Sequence, residues 1–149
     1  MPTKLIKKID AEIIGFSQRH ALKLARTAFF VVYFWFGVLK VIGISPASPL
    51  ADALLAVTLP SVEPATFHVL FGLFEMAIGA LFLFPKCDRV TLPVFVAHIA
   101  MTMLPLILLP SLVWTAPFVP TLEGQYILKN LVLVALAAAI VSRMKRIKS

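Results

Sequence analysis

Glu75 is the one carboxylate inside FGLFEMAIGALFLF, Phe71 to Phe84, a run otherwise apolar enough to face lipid. A carboxylate in the middle of a bilayer costs at least about 2.5 kcal/mol, so a helix that keeps one gains something by it. Two chemistries suit such a group: pairing with a cation from another helix, and proton exchange. The matching cations are Lys40 in WFGVLKVIGI and Lys129 in GQYILKNLVL, which also lie within apolar runs. Tyr33 and His98 add a phenol and an imidazole, and Thr102, Tyr126 and Asn130 add hydrogen-bonding groups. An unsatisfied polar group in hydrocarbon is costly, so these side chains should point at one another and line one polar pocket.

Three uses of such a pocket remain open. A quinone headgroup fits, because its carbonyl oxygens accept from lysine and histidine, and another small apolar or anionic ligand fits for the same reason. A small permease or proton-conducting element, with a proton relay through Glu75 and His98, fits as well. The same charges can also serve only as a salt bridge that fixes helix register. No metal-ligand spacing, no Ser/His/Asp order and no glycine-rich phosphate loop is present, so no catalytic residue is assigned. Cys87, the single cysteine, stands among Lys86, Asp88 and Arg89 without the spacing of a redox or metal motif.

The composition sets where these residues must work. Sixty per cent of the residues are hydrophobic and the mean hydropathy is +0.97, whereas soluble domains hold about 45–50% apolar residues. This points to an integral membrane protein in a lipid bilayer. The net charge of +7 does not indicate nucleic acid, because the basic residues gather at segment ends. No cleavable signal peptide is expected, since the first long apolar run follows a charged segment too long for an n-region.

Residues 1–20 carry Leu5, Ile6, Ile9, Ile13 and Phe16 at helical spacing, with Lys4, Lys7, Lys8 and Glu12 on the other side. This predicts an amphipathic helix in the headgroup plane, after which the chain turns into the membrane. Four apolar stretches, near 24–44, 66–84, 90–109 and 125–141, are each close to the ~20 residues needed to span hydrocarbon. SPLADALLAVTL, with Ser48 as cap, predicts a short helix on the outer face between the first two spans. Pro105 should kink the third span, and Trp114 and Phe118 mark an outer loop at headgroup level. The expectation is an all-α membrane protein, a single domain over 1–149 built as a four-helix bundle.

Within that frame the polar residues fall on stripes. His68, Gly72, Glu75 and Gly79 lie at i, i+4, i+7 and i+11, and Tyr33, Gly37 and Lys40 at i, i+4 and i+7. Gly37, Gly72 and Gly79 are small enough to let neighbouring helices approach closely. At 1.5 Å per residue, Lys40 and Lys129 sit roughly 6 Å below the outer boundary, and Tyr33, Glu75 and His98 roughly 13–16 Å below it. Of 14 basic residues, six lie at or before the start of the first span, two follow the second and four follow the fourth. The two long outer loops have none, which puts both termini in the cytoplasm.

WFGVLKVIGISPASPL (Trp35 to Leu50), FGLFEMAIGALFLFP (Phe71 to Pro85) and PTLEGQYILKNLVL (Pro120 to Leu133) resemble the DoxX-like small four-helix membrane proteins. They are similar to the branch that contains a reactive-chlorine-resistance inner-membrane protein. The resemblance implies a bacterial inner-membrane location and a role as a quinone-linked oxidoreductase subunit or an oxidative-stress factor. It also implies a homo-oligomer or a partner membrane subunit. Functional weight carries over onto Gly72, Glu75, Gly79, Lys40, Gln125, Tyr126, Lys129 and Asn130.

Overall fold

The computed structural model describes residues 2–146; Met1 of the expected N-terminal helix and residues 147–149 of the basic tail lie outside the described residues. Helix α1 spans Pro2–Val41, α2 Ser48–Thr58, α3 Pro64–Phe82, α4 Asp88–Met103, α5 Pro105–Leu108, α6 Pro110–Val113 and α7 Leu122–Val141. A 3-10 turn at Pro85–Cys87 joins α3 to α4. Four helical segments are long and apolar enough to cross a membrane: α1, α3, the α4–α5 segment and α7. They run up and down, with contacts between α1 and α3, α3 and α4, α4 and α7, and α7 and α1 closing a ring.

The helix ends follow from local chemistry. Glu63 caps α3, its carboxylate accepting from the N–H groups of Ala65 (3.0 Å) and Thr66 (2.6 Å) ahead of Pro64 at the first position. The Thr66 hydroxyl and these N–H groups hold the Glu63 carboxyl below its ordinary range. The Thr121 hydroxyl caps α7 by accepting from Gly124. Helix α1 ends where Gly43 takes φ +75°. The N–H of Gly43 then donates to Lys40 O and that of Ile44 to Leu39 O, a Schellman ending that needs a residue tolerant of positive φ. Pro105 has no N–H to continue the ladder, and it divides the third span at Leu104 as expected.

Three expectations are corrected. Residues 2–41 form one unbroken helix of 40 residues, with no turn between the expected N-terminal helix and the first span, because nothing from Phe16 to Arg26 breaks a helical ladder. Residues 3–24 of it stand beyond the bundle and are mostly exposed. Secondly, Ser48 does not cap α2; the Ser45 hydroxyl accepts from the Ala47 N–H instead. Finally, the 110–121 loop is ordered as α6 and a two-stranded hairpin, Trp114–Ala116 with Val119–Pro120, so the fold is not purely helical. Pro117 and Phe118 form its turn, with Phe118 at φ 61° and 94% exposed.

The core is aromatic in the half of the bundle nearer the basic turn. Phe29 and Phe82 stack at 3.9 Å between centroids, Phe95 meets both edge-on, and all three are fully buried. Toward the opposite end, which carries the loops, α1 and α3 come into backbone contact. A Cβ on Gly37 would lie 2.5 Å from the Gly72 carbonyl, and one on Gly72 would lie 2.6 Å from the Gly37 carbonyl. Each glycine is therefore the seat of the other helix. Gly79 seats α1 at Tyr33 and Phe34 in the same way. Gly37→Leu or Gly72→Leu should each cost about 1–3 kcal/mol or more through overpacking. The check is a lowered thermal midpoint in detergent, with retained midpoints counting against the close crossing.

Candidate functional site

The glycine crossing sets the polar chemistry by bringing two stripes face to face. Lys40 lies three residues beyond Gly37 and Glu75 three beyond Gly72. Lys40 Nζ donates to Glu75 Oε2 at 2.6 Å, with both residues buried. The other carboxylate oxygen, Oε1, lies 3.2 Å from His98 Nε2 on α4. His98 Nδ1 lies 3.1 Å from the Tyr33 hydroxyl, back on α1. One proton arrangement satisfies every atom: Tyr33 O–H donates to Nδ1 and Nε2–H donates to Glu75, with a neutral imidazole. The result is a continuous chain, Lys40–Glu75–His98–Tyr33, across three helices.

Phe71 shapes this chain from the side. Its ring stacks on His98 at 5.1 Å and 19°, and the Lys40 ammonium lies 5.7 Å from its centroid. The space beside Glu75 is thus occupied by lysine, imidazole and phenyl. The surface concavities lie elsewhere, one at the 114–118 hairpin and one beside Ala65, Thr66, Val69 and Leu70. Chemically, the chain can hold one carboxylate charge in an apolar bundle and move a proton between phenol, imidazole and carboxylate.

Four of the eight residues expected in one pocket come together: Tyr33, Lys40, Glu75 and His98. Thr102 and Asn130 form a separate, long contact of 3.4 Å, with Thr102 also donating to Ile99 O. Lys129 and Tyr126 are exposed on the outer side of α7 and do not join the seam. The physical reason is helical phase. Gly124, Ile127 and Asn130 take the inward line, and Tyr126 and Lys129 each precede one of them, which turns them about 100° away. His68 is half-buried near the loop end, its Nε2 lying 2.7 Å from Asp52 on α2 and its Nδ1 buried without a partner.

Sequence reasoning missed a second charged contact. Arg26 grips Asp88 at both carboxylate oxygens, NH1 to Oδ1 at 2.7 Å and NH2 to Oδ2 at 2.6 Å, and NH1 also donates to Phe82 O. This ties α1 to the end of α3 and the start of α4. Sixty-two positions separate the partners, which hides them from any local pattern. The one available signal was an acid, Asp88, set among basic residues of a tight turn.

No protein-family model, no curated protein and no solved structure matches the chain.

Removing one member of a buried ion pair strands the other charge, at about 3–5 kcal/mol. Glu75→Gln and Lys40→Met should each lose stability on that scale in chemical unfolding in micelles. The double variant Lys40→Met/Glu75→Leu removes both charges and should cost less than either single change. Simple additivity of the two single costs would show that the pair is not coupled.

Proposed function

We propose that the chain is an inner-membrane accessory protein of the DoxX-like kind, with both termini cytoplasmic, acting in redox or oxidative-stress processes. Its buried Glu75 chain exchanges protons with a quinone-type carrier. The observation that carries this reading is the continuous link from Lys40 through Glu75 and His98 to Tyr33. A quinone takes up protons as it is reduced, and its carbonyl oxygens accept hydrogen bonds. Lys40 is the flexible member of the chain. If its ammonium turns from Glu75 to a carbonyl oxygen, the carboxylate is freed to trade a proton with His98. Electrons come from a partner subunit, and the chain's own part is protonic.

A proton-conducting element is less well supported, because Phe29, Phe82, Phe95, Ile78 and Ile140 fill the bundle between this chain and the basic turn. A second reading, a structural or assembly protein with the ion pair as a bolt, is favoured by one observation: Glu75 is packed around and its hydrogen bonds are complete.

The test is titration of a short-chain quinone analogue into the full-length protein in nanodiscs. Tyr33→Phe serves as a variant that keeps the ring and its packing. Wild type should bind, Glu75→Gln should bind at least about tenfold more weakly, a loss of about 1.4 kcal/mol, and Tyr33→Phe should slow proton uptake on reduction. A wild-type protein with no affinity for the analogue, yet destabilised by Glu75→Gln, would leave the bolt standing and remove the quinone.

A further inference from the structure

Lys129 presents the opposite problem to Glu75, because it is a charge on the outside of the bundle. It is exposed on α7 between the exposed residues Tyr126 and Val132, in a segment long and apolar enough to cross a membrane. It has no acidic partner among the described residues. Seven residues separate it from Leu122, which sets its backbone about 10 Å below the loop end of α7. An ammonium facing hydrocarbon at that depth is costly, and the cost is removed by rising to the interface and meeting an anion.

The side chain takes the first of these steps. Its Nζ lies 4.7 Å from the centroid of the Tyr126 ring. Tyr126 stands three positions nearer the loop end, about 4.5 Å along the helix, so the lysine side chain is turned toward that end. The ring holds the cation by its π-face. Tyr126 is 60% exposed, and its phenol is a second donor on the same face of α7. Two donors on one exposed face, one of them charged, suit a phosphodiester at the membrane edge. The 114–118 hairpin, with Trp114 bonded to Leu106 O and Phe118 exposed at its tip, adds aromatic side chains of the kind that settle at this level.

We infer that Lys129 and Tyr126 form a binding site for the phosphate of an anionic phospholipid in the leaflet at the loop end of the bundle. A carboxylate on a neighbouring membrane helix is the competing occupant. It fits less well, because it would bring a second charge into the hydrocarbon, whereas a lipid phosphate already lies at the interface. The inference is independent of the quinone reading, since neither residue touches the Glu75 chain.

The experiment uses full-length protein in detergent, exchanged into phosphatidylglycerol, phosphatidylcholine or inorganic phosphate and read by native mass spectrometry and thermal midpoint. Wild type should retain phosphatidylglycerol and gain stability from it, with little response to the other two. Lys129→Met should lose that retained lipid, Lys129→Arg should keep it, and Tyr126→Phe should weaken it. Because Lys129 is exposed, Lys129→Met should fold, which circular dichroism checks. Equal lipid retention by Lys129→Met overturns the site. So does equal stabilisation by inorganic phosphate, which would mark a soluble-anion site. Loss of an oligomer in Lys129→Met without change in retained lipid would assign the residue to a protein contact instead.

Discussion

The Lys40–Glu75 pair is the constraint to which the packing at the loop end of the bundle answers. Two opposite charges in an apolar bundle are tolerable only when they touch and when every remaining donor and acceptor is met. Gly37 and Gly72, having no Cβ, let α1 and α3 meet backbone to backbone, and Lys40 and Glu75, each three positions on, make their 2.6 Å contact beside that crossing. The second carboxylate oxygen then needs a donor, which His98 provides from α4. The imidazole's other nitrogen needs one too, which Tyr33 provides from α1. One buried charge thus recruits three helices.

A second charged contact works at the other end by different means. Arg26 and Asp88 lie where the chain turns from α3 to α4, and the guanidinium's planar fork matches the carboxylate while also reaching the Phe82 carbonyl at the end of α3. A fork that binds two oxygens at once fixes orientation as well as distance. Between the two charged levels lie Phe29, Phe82 and Phe95, fully buried and in mutual contact. The bundle is therefore polar, apolar and polar along its length, with its tightest backbone contact beside the charge pair.

Some of this was legible in the residues and some was not. The stripe His68, Gly72, Glu75, Gly79 places a carboxylate and two small residues on one face from spacing alone, because helical phase is a local property. Lys40 and Lys129 looked alike, each a lysine near one end of an apolar run. They diverge because three residues separate Lys40 from the glycine that seats α3, while Lys129 stands one residue before the inward line of α7. A rotation of about 100° turned one into a buried partner and left the other facing outward. The unbroken α1 was misread for a related reason: a change from amphipathic to apolar pattern marks a change of surroundings and need not mark a break in the helix.

The sequence by itself determined four apolar segments capable of spanning a membrane, the basic residues grouped at their ends, the Pro105 break and the anomaly of Glu75. All of these follow from composition and from spacing within a single segment. Only the tertiary structure decided which cation meets Glu75, that His98 and Tyr33 complete its hydrogen bonds, that Arg26 closes on Asp88, and that Lys129 faces outward. Those outcomes depend on the rotation of one helix against another and on contacts across 23 to 65 positions, which no local pattern encodes.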